Sequence, residues 1–213
     1  MIKSALFDLD GVLADTETIY TRIWSAIGEA HPTGYADFAQ RIKGSTLPRI
    51  LDTYFPDPDV QADVCRMLDQ AEKSMEYPIY DGVTDFLDDL HASGIRCAIV
   101  TSSSPRKMER FFAANPGFDS YFDAILTDAD IKKSKPDPDG YLRAAGRLGS
   151  QPCESIVFED SFNGLKAGRA AGAYVVALAT TNPAESIAPL SDTVISSFAG
   201  LTFNRLKQLL DIE

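Results

Sequence analysis

Two rhythms of apolar residues alternate along the chain. Ala5-Leu6-Phe7 is a short unbroken run that stops at Asp8 and Asp10. Over residues 16–30, Ile19, Ile23 and Ile27, with Tyr20 and Trp24, recur at helical spacing. Pro and Gly break the pattern between His31 and Gly34, and Val60, Val64, Met67, Leu68, Ala71 and Met75 mark a further helix. Tyr77-Pro78-Ile79-Tyr80-Asp81-Gly82 interrupts again, with Pro78 and Gly82 as breakers. Beyond this point helical stripes and buried runs take turns. Val83, Phe86, Leu87 and Leu90 precede the run 95–100, and Pro105 opens a helix carrying Met108, Phe111 and Phe112. Ala124-Ile125-Leu126 is a short strand, and Pro138 opens a helix with Tyr141, Leu142, Ala145 and Leu148. Ser155-Ile156-Val157-Phe158 is a strand ending in Glu159-Asp160, and a helix then runs to Gly172. Residues 174–178 and 193–195 are further strands, and Leu206, Leu209 and Leu210 lie on a last helix.

Strands alternating with helices predict βαβ units, right-handed crossovers and a parallel sheet, an α/β fold. The helical block lies between the first strand and the rest of the sheet, so residues 16–79 read as an insertion into a domain formed by 1–15 and 80–213. The linkers fall near 14–16 and 78–81, and two adjacent crossings predict a hinge.

Composition narrows the picture. The 213 residues suffice for one large domain or two small ones, and a 45% hydrophobic share fits a packed core. A net charge of −11 argues against a nucleic-acid surface, where Lys and Arg cluster. Cys65, Cys97 and Cys153 are far apart and form no Cys-x-x-Cys, which favours neither a zinc knuckle nor a redox pair and suits a reducing compartment. No apolar stretch reaches the roughly 18 residues of a membrane span, and residues 1–13 have no basic region before a long apolar core. The expectation is a soluble, cytoplasmic monomer with no membrane or nucleic-acid partner. His31 precedes a proline and His91 ends a helix, so both are expected to face solvent.

In a parallel sheet the strand ends share one edge, where open α/β sheets bind their ligands. That edge collects Asp8 and Asp10, Thr101 with Ser102-Ser103-Ser104, Lys135 within Ser134-Lys135-Pro136-Asp137-Pro138, and Glu159-Asp160-Ser161. Two close carboxylates both stay ionised only beside a cation or donors, and Mg²⁺ would supply that charge. A calcium-loop reading of Asp8 fails on spacing, because Val12, Leu13 and Ile19 stand where a ligand, a glycine and a glutamate are required. Singly, each group has a plainer alternative: a solvated turn at Asp8–Gly11, strand closure by Thr101, a surface loop around Lys135, a helix cap from Glu159-Asp160. Jointly they carry a chemical logic. A carboxylate can attack phosphorus, and the transfer needs charge neutralised around the equatorial oxygens, here by Mg²⁺ and Lys135. Asp8, the main-chain carbonyl of Asp10 and Asp160 leave an octahedral shell room for waters and a phosphate oxygen. Thr101 and nearby N–H groups can hold the phosphate, while Asp10 can protonate a leaving alkoxide and later deprotonate water.

Asp8-Leu9-Asp10-Gly11-Val12-Leu13 with Asp15, Val100-Thr101-Ser102, Lys135-Pro136-Asp137-Pro138 and Phe158-Glu159-Asp160-Ser161 with Asn163-Gly164 resemble the motifs of the haloacid dehalogenase superfamily, in its β-phosphoglucomutase-like phosphatase branch. The resemblance covers essentially the whole chain. It implies a Rossmann-like parallel sheet core with a helical cap at 16–79 that closes over the substrate. It implies Asp8 as nucleophile, Asp10 as general acid and base, and Thr101, Ser102 and Lys135 as phosphate ligands. Asp8, Asp10 and Asp160 would hold Mg²⁺, with Glu159 acting directly or through water. Cap residues Tyr20, Lys43, Gly44, Ser45, Thr46 and Arg49 are expected to face the leaving group. The mutase of this branch has a histidine where this chain has Tyr20, and a cap arginine where Leu47 stands, with Arg49 two residues on. Both departures favour an Mg²⁺-dependent phosphatase of a small phosphorylated metabolite, a sugar phosphate, over a hexose-phosphate mutase. Asp10 argues against dehalogenation. A phospho-receiver signalling module shares the acyl-phosphate chemistry but is much shorter and has no inserted cap.

Overall fold

The chain begins with β1 (Ser4–Phe7), a strand buried along its whole length. Four helices follow: α1 (Glu17–Ala30), α2 (Phe38–Arg41), α3 (Leu47–Tyr54) and α4 (Pro58–Lys73). The remainder alternates: α5 (Val83–Ala92), β2 (Arg96–Val100), α6 (Pro105–Ala114), β3 (Ala124–Leu126), α7 (Asp139–Arg147), β4 (Ser155–Glu159), α8 (Phe162–Ala171), β5 (Tyr174–Leu178), α9 (Ala184–Ile187), β6 (Thr193–Ile195) and α10 (Phe203–Leu210). This is a computed structural model, and it describes residues 1–212.

The six strands form one sheet in the order β3-β2-β1-β4-β5-β6, and every pair is parallel. The expected α/β, Rossmann-like fold is therefore what the chain adopts. β1 lies between β2 and β4, with Phe7 level with Ile99 and Phe158, so the strand order reverses at β1. A crevice opens beyond the strand tips at such a switch point.

Period-two alternation assigns the strand residues to two faces. Ala5, Phe7, Cys97, Ile99, Ile156 and Phe158 join one core with Phe86 and Leu90 of α5, Phe111 of α6 and Leu206 of α10. Leu6, Ala98, Val100 and Val157 point the other way, against Tyr141, Ala144 and Ala145 of α7 and Ala167 of α8. The Phe7 and Phe158 rings stack with centroids 4.5 Å apart, tying β1 to β4 directly beneath the strand tips.

A separate apolar cluster holds α1–α4 together: Trp24, Ile27, Phe38, Ile42, Ile50, Phe55, Val64 and Leu68. The chain enters and leaves this block side by side. Ala14 and Ile79 form an antiparallel bridge, Asp15 N–H donates to the Pro78 carbonyl at 2.8 Å, and Tyr80 N–H donates to the Leu13 carbonyl at 3.0 Å.

Three details differ from the sequence pattern. α2 and α3 fall in a stretch with no recognised periodicity, because one or two turns are too short to display one. α4 ends at Lys73, and Met75 packs with Tyr77 on the sheet-side core instead of continuing the helical stripe. Leu142 is 44% exposed, since Tyr141, Ala144 and Ala145 already supply the buried face of α7.

Candidate active site

β1 stops at Phe7, and the chain must turn off the sheet within a few residues. Gly11 makes that turn at φ +78°, and it also makes room: a Cβ there would stand 2.1 Å from Asp160 Oδ2. On the neighbouring strand, β4 ends at Glu159, Ser161 caps α8 by accepting the Gly164 N–H at 3.0 Å, and Asp160 sits between. β2 delivers Thr101 in the same way. Its hydroxyl accepts the Ser103 N–H at 3.0 Å, and Ser104 caps α6.

Lys135 organises the centre. Its ammonium donates to Asp8 Oδ1 and Glu159 Oε1, both at 2.5 Å, and to the Val100 carbonyl at 3.2 Å. Glu159 is fully buried and saturated. Tyr141 donates to Oε1 at 2.7 Å, while the N–H groups of Asp160 and Ser161 and the Ser161 hydroxyl converge on Oε2 at 3.1–3.2 Å. Gly164 permits this carboxylate to sit against α8, because a Cβ there would lie 1.7 Å from Oε1. Tyr141 enters the site although the sequence pattern marks it only as a core residue.

Asp8, Glu159 and Asp160 each offer an oxygen within 4.8 Å of the others. Burial pushes the Asp8 carboxyl up to about 7, against the pull of Lys135, with Glu159 and Asp10 adding to the rise. Asp160 is raised well above the carboxylate range by burial, then by the charges of Glu17, Glu159 and Asp8. Burial by itself would lower Lys135, but Asp8 and Glu159 outweigh it and hold the lysine above its ordinary value. Asp160 Oδ2 and the Thr181 hydroxyl are buried without a hydrogen-bond partner among the described residues. An orphaned carboxylate oxygen in an anionic cluster fits a hard cation, and oxygen donors of this kind suit Mg²⁺.

Asp10 lines the cavity shared with residues of α1–α4. Oδ1 accepts from the Thr16 hydroxyl, and Oδ2 accepts from Ser103 at 3.1 Å and from the Lys107 ammonium at 2.5 Å. Ser103 belongs to the serine run that the sequence places at this edge, whereas Thr16 and Lys107 are not among the residues singled out from sequence. Lys107 did carry a signal: it lies on the Phe111 face of α6, four residues before it, where an unpaired lysine would be costly.

A cavity of about 110 Å³ joins this centre to α1–α4. Tyr20, Lys43, Gly44 and Ser45 line it, together with Trp24, Ile42, Leu47, Ile50 and Leu68. Two expectations need correction. Arg49 points away and donates to Ser134 Oγ at 3.2 Å and the Lys135 carbonyl at 3.0 Å, because α3 lies over that loop. Thr46 is buried at the start of α3 and does not line the cavity. Ser102 contributes to the lining, but its hydroxyl donates to the Gly44 carbonyl at 3.0 Å.

Residues 2–172 match the haloacid dehalogenase-like hydrolase family. The chain belongs to this family. It is a hydrolase of the haloacid dehalogenase type, as its motifs led one to expect. It is similar to validoxylamine A 7′-phosphate phosphatase of Streptomyces hygroscopicus subsp. limoneus, at 30% identity over 88% of this chain and 91% of that relative. It is equally similar, at 30% identity over 94% of this chain and 91% of the relative, to a β-phosphoglucomutase of Mycobacterium bovis. Among solved structures, a β-phosphoglucomutase from Clostridium difficile superposes with a TM-score of 0.82 at 21% identity, covering 99% of this chain and 98% of that one, which shows a shared fold. No helix among the described residues is long and apolar enough to cross a membrane.

Proposed function

We propose that this hydrolase is an Mg²⁺-dependent phosphomonoesterase acting on a small phosphorylated metabolite through an aspartyl-phosphate on Asp8. The observation that carries the reading is the position of Asp8: one oxygen held by Lys135, Thr101 and Ser102 alongside, and Asp10 facing the leaving-group cavity. The free carboxylate oxygen attacks phosphorus and the bond to the leaving oxygen breaks. Asp10 gives a proton to that oxygen. Water then attacks the same phosphorus, its proton goes to Asp10, and the acyl-phosphate bond breaks to restore Asp8 and release inorganic phosphate. Lys135 and Thr101 hold phosphate oxygens, and Glu159 keeps Lys135 in place from behind. Asp8 and Asp160, with the main-chain carbonyl of Asp10, would hold Mg²⁺, which when bound neutralises charge on the transferring phosphoryl group. Both carboxylate oxygens of Glu159 are committed to donors, so its influence on the metal runs through its neighbours.

Asp8→Asn tests the reading, since an amide is a far weaker nucleophile than a carboxylate. Steady-state phosphate release and acid-stable trapping of phosphoprotein should both vanish. Hydrolysis at the parent rate by pure variant would remove Asp8 from the mechanism.

The mutase reading is disfavoured by the leaving-group end of the cavity. A mutase must clamp a second phosphate, and a bidentate arginine is the usual means. Here Leu47 lines the wall, Arg49 is spent on the Ser134–Lys135 loop, and Lys43 is paired with Glu17 at 2.7 Å. A hexose 1-phosphate supplied with a bisphosphate primer should release inorganic phosphate or remain unchanged when followed by phosphorus NMR. Conversion to the 6-phosphate without phosphate release would establish a mutase.

A further inference from the structure

We propose that Lys107 is a positioning residue for Asp10 and that it sets the orientation of the acid–base carboxylate by the seating of the helical cap. The inference rests on the reading of Asp10 as general acid and base. Lys107 is only 4% exposed, although it is a lysine on a helix of the sheet domain. Its ammonium makes two contacts that belong to different halves of the molecule. One is the 2.5 Å hydrogen bond to Asp10 Oδ2. The other is the face of the Tyr20 ring on α1, whose centroid lies 3.8 Å away. The Tyr20 ring is fixed in turn, because its hydroxyl donates to Glu72 Oε1 on α4 at 2.9 Å. Arg110, one turn beyond Lys107 on α6, donates to the other Glu72 oxygen at 2.7 Å. The contacts form a chain, Asp10–Lys107–Tyr20–Glu72–Arg110, that crosses twice between α6 and the cap.

Thr16 completes the arrangement from the hinge side. It precedes α1 and binds the Asp10 oxygen that Lys107 leaves free. The Asp10 carboxylate is thus clamped at Oδ1 by the linker and at Oδ2 by a lysine whose second contact is the cap. When the cap is seated, both clamps are in register. When Tyr20 moves away, Lys107 loses the ring that holds its ammonium over Asp10, and the carboxylate regains rotational freedom. Proton transfer to a leaving oxygen demands hydrogen-bond reach, so orientation enters the rate directly.

A graded series of aryl and alkyl phosphates, from p-nitrophenyl through phenyl to benzyl phosphate, reads this out. Its later members need the proton most. The quantity is kcat/KM, which reports steps through departure of the leaving group. Asp10→Asn should steepen the dependence on leaving-group acidity. Lys107→Met, which keeps the apolar stem, should steepen it in the same sense, lowering the benzyl to p-nitrophenyl ratio by about 10- to 100-fold. Lys107→Arg, which keeps the charge and the ring contact, should restore most of the ratio. Tyr20→Leu should give a smaller shift, and the Asp10→Asn/Lys107→Met double variant should be no steeper than Asp10→Asn alone. A shift in Asp10→Asn with none in Lys107→Met overturns the role of Lys107. No shift in Asp10→Asn overturns the acid–base reading and this inference with it. Should Lys107→Met fail to fold, Lys107→Arg and Tyr20→Leu decide: unchanged ratio in Tyr20→Leu, with its ring contact gone, removes the coupling to the cap.

Discussion

Buried carboxylates crowd one another at this site, and burial with mutual repulsion favours the proton-bound form of Asp8 and Asp160 over the charged one. Asp160 has an orphaned buried oxygen and a carboxyl raised well above its ordinary range by burial. Asp160→Asn should therefore raise the melting temperature measured in EDTA, while abolishing most of the stabilisation that Mg²⁺ confers on the parent protein. A variant that melts lower in EDTA and responds fully to Mg²⁺ would show that Asp160 is a helix-terminal residue without a metal role. Gly164 offers a second test with an unusual sign. Alanine in place of a helical glycine ordinarily stabilises by about 1 kcal/mol. At Gly164 the new Cβ would meet Glu159 Oε1 at 1.7 Å, and overpacking of this kind costs about 1–3 kcal/mol. Urea unfolding of Gly164→Ala should show net loss, with activity falling because Glu159 no longer backs Lys135.

Elements carry those side chains to one place. Phe158 is fully buried and stacks on Phe7, so it sets the spacing of the two strands whose tips bear Asp8, Glu159 and Asp160. Phe158→Ala should cost about 3–5 kcal/mol in urea unfolding. Phe162, four residues later on α8, is 41% exposed, and Phe162→Ala should stay within about 0.5 kcal/mol. Equal costs would mean that the two rings share the same environment, contrary to the packing described. The same contrast explains which elements could be read from the chain. Strands buried on both faces and helices with long stripes announce themselves by periodicity, whereas α2 owes its existence to Phe38 docking among Trp24, Tyr54 and Phe55. That contact is tertiary.

At the scale of the whole molecule, two adjacent linkers and two separate apolar clusters support our proposal that the α1–α4 block is a cap that moves. The cap is seated here through polar contacts: Ser102 to the Gly44 carbonyl, Asn163 to the Lys43 carbonyl at 3.0 Å, and Arg110 to Glu72. Solution scattering should show compaction when Mg²⁺ and orthovanadate are added together. An unchanged radius of gyration would indicate a single rigid body. Stability against pH gives a second global readout. A carboxyl raised in the folded state binds its proton more tightly there than in the unfolded chain, so its stabilising contribution is complete below pH 3.8 and is lost as pH rises toward 7 for Asp8. Asp160 acts in the same sense. In EDTA the melting temperature should therefore decline between pH 4 and about 7 by this contribution, and Mg²⁺ should flatten the decline. Calorimetry at matched pH with and without metal checks it, and a steeper decline with Mg²⁺ would refute the metal assignment.

By itself the sequence determined the six strands, their parallel alternation with helices, and the collection of Asp8, Asp10, Thr101, Lys135, Glu159 and Asp160 at one sheet edge. Those features follow from local periodicity and from the rule that parallel strands point the same way. Only the tertiary structure decided how the side chains are paired. It turned Arg49 onto the Ser134–Lys135 loop, gave Glu159 to Lys135 and Tyr141, and joined Asp10 to Lys107 across 97 positions of sequence. Such pairings depend on which helix face meets which strand tip, and a lysine's spacing along its own helix carries no information about the carboxylate it will reach.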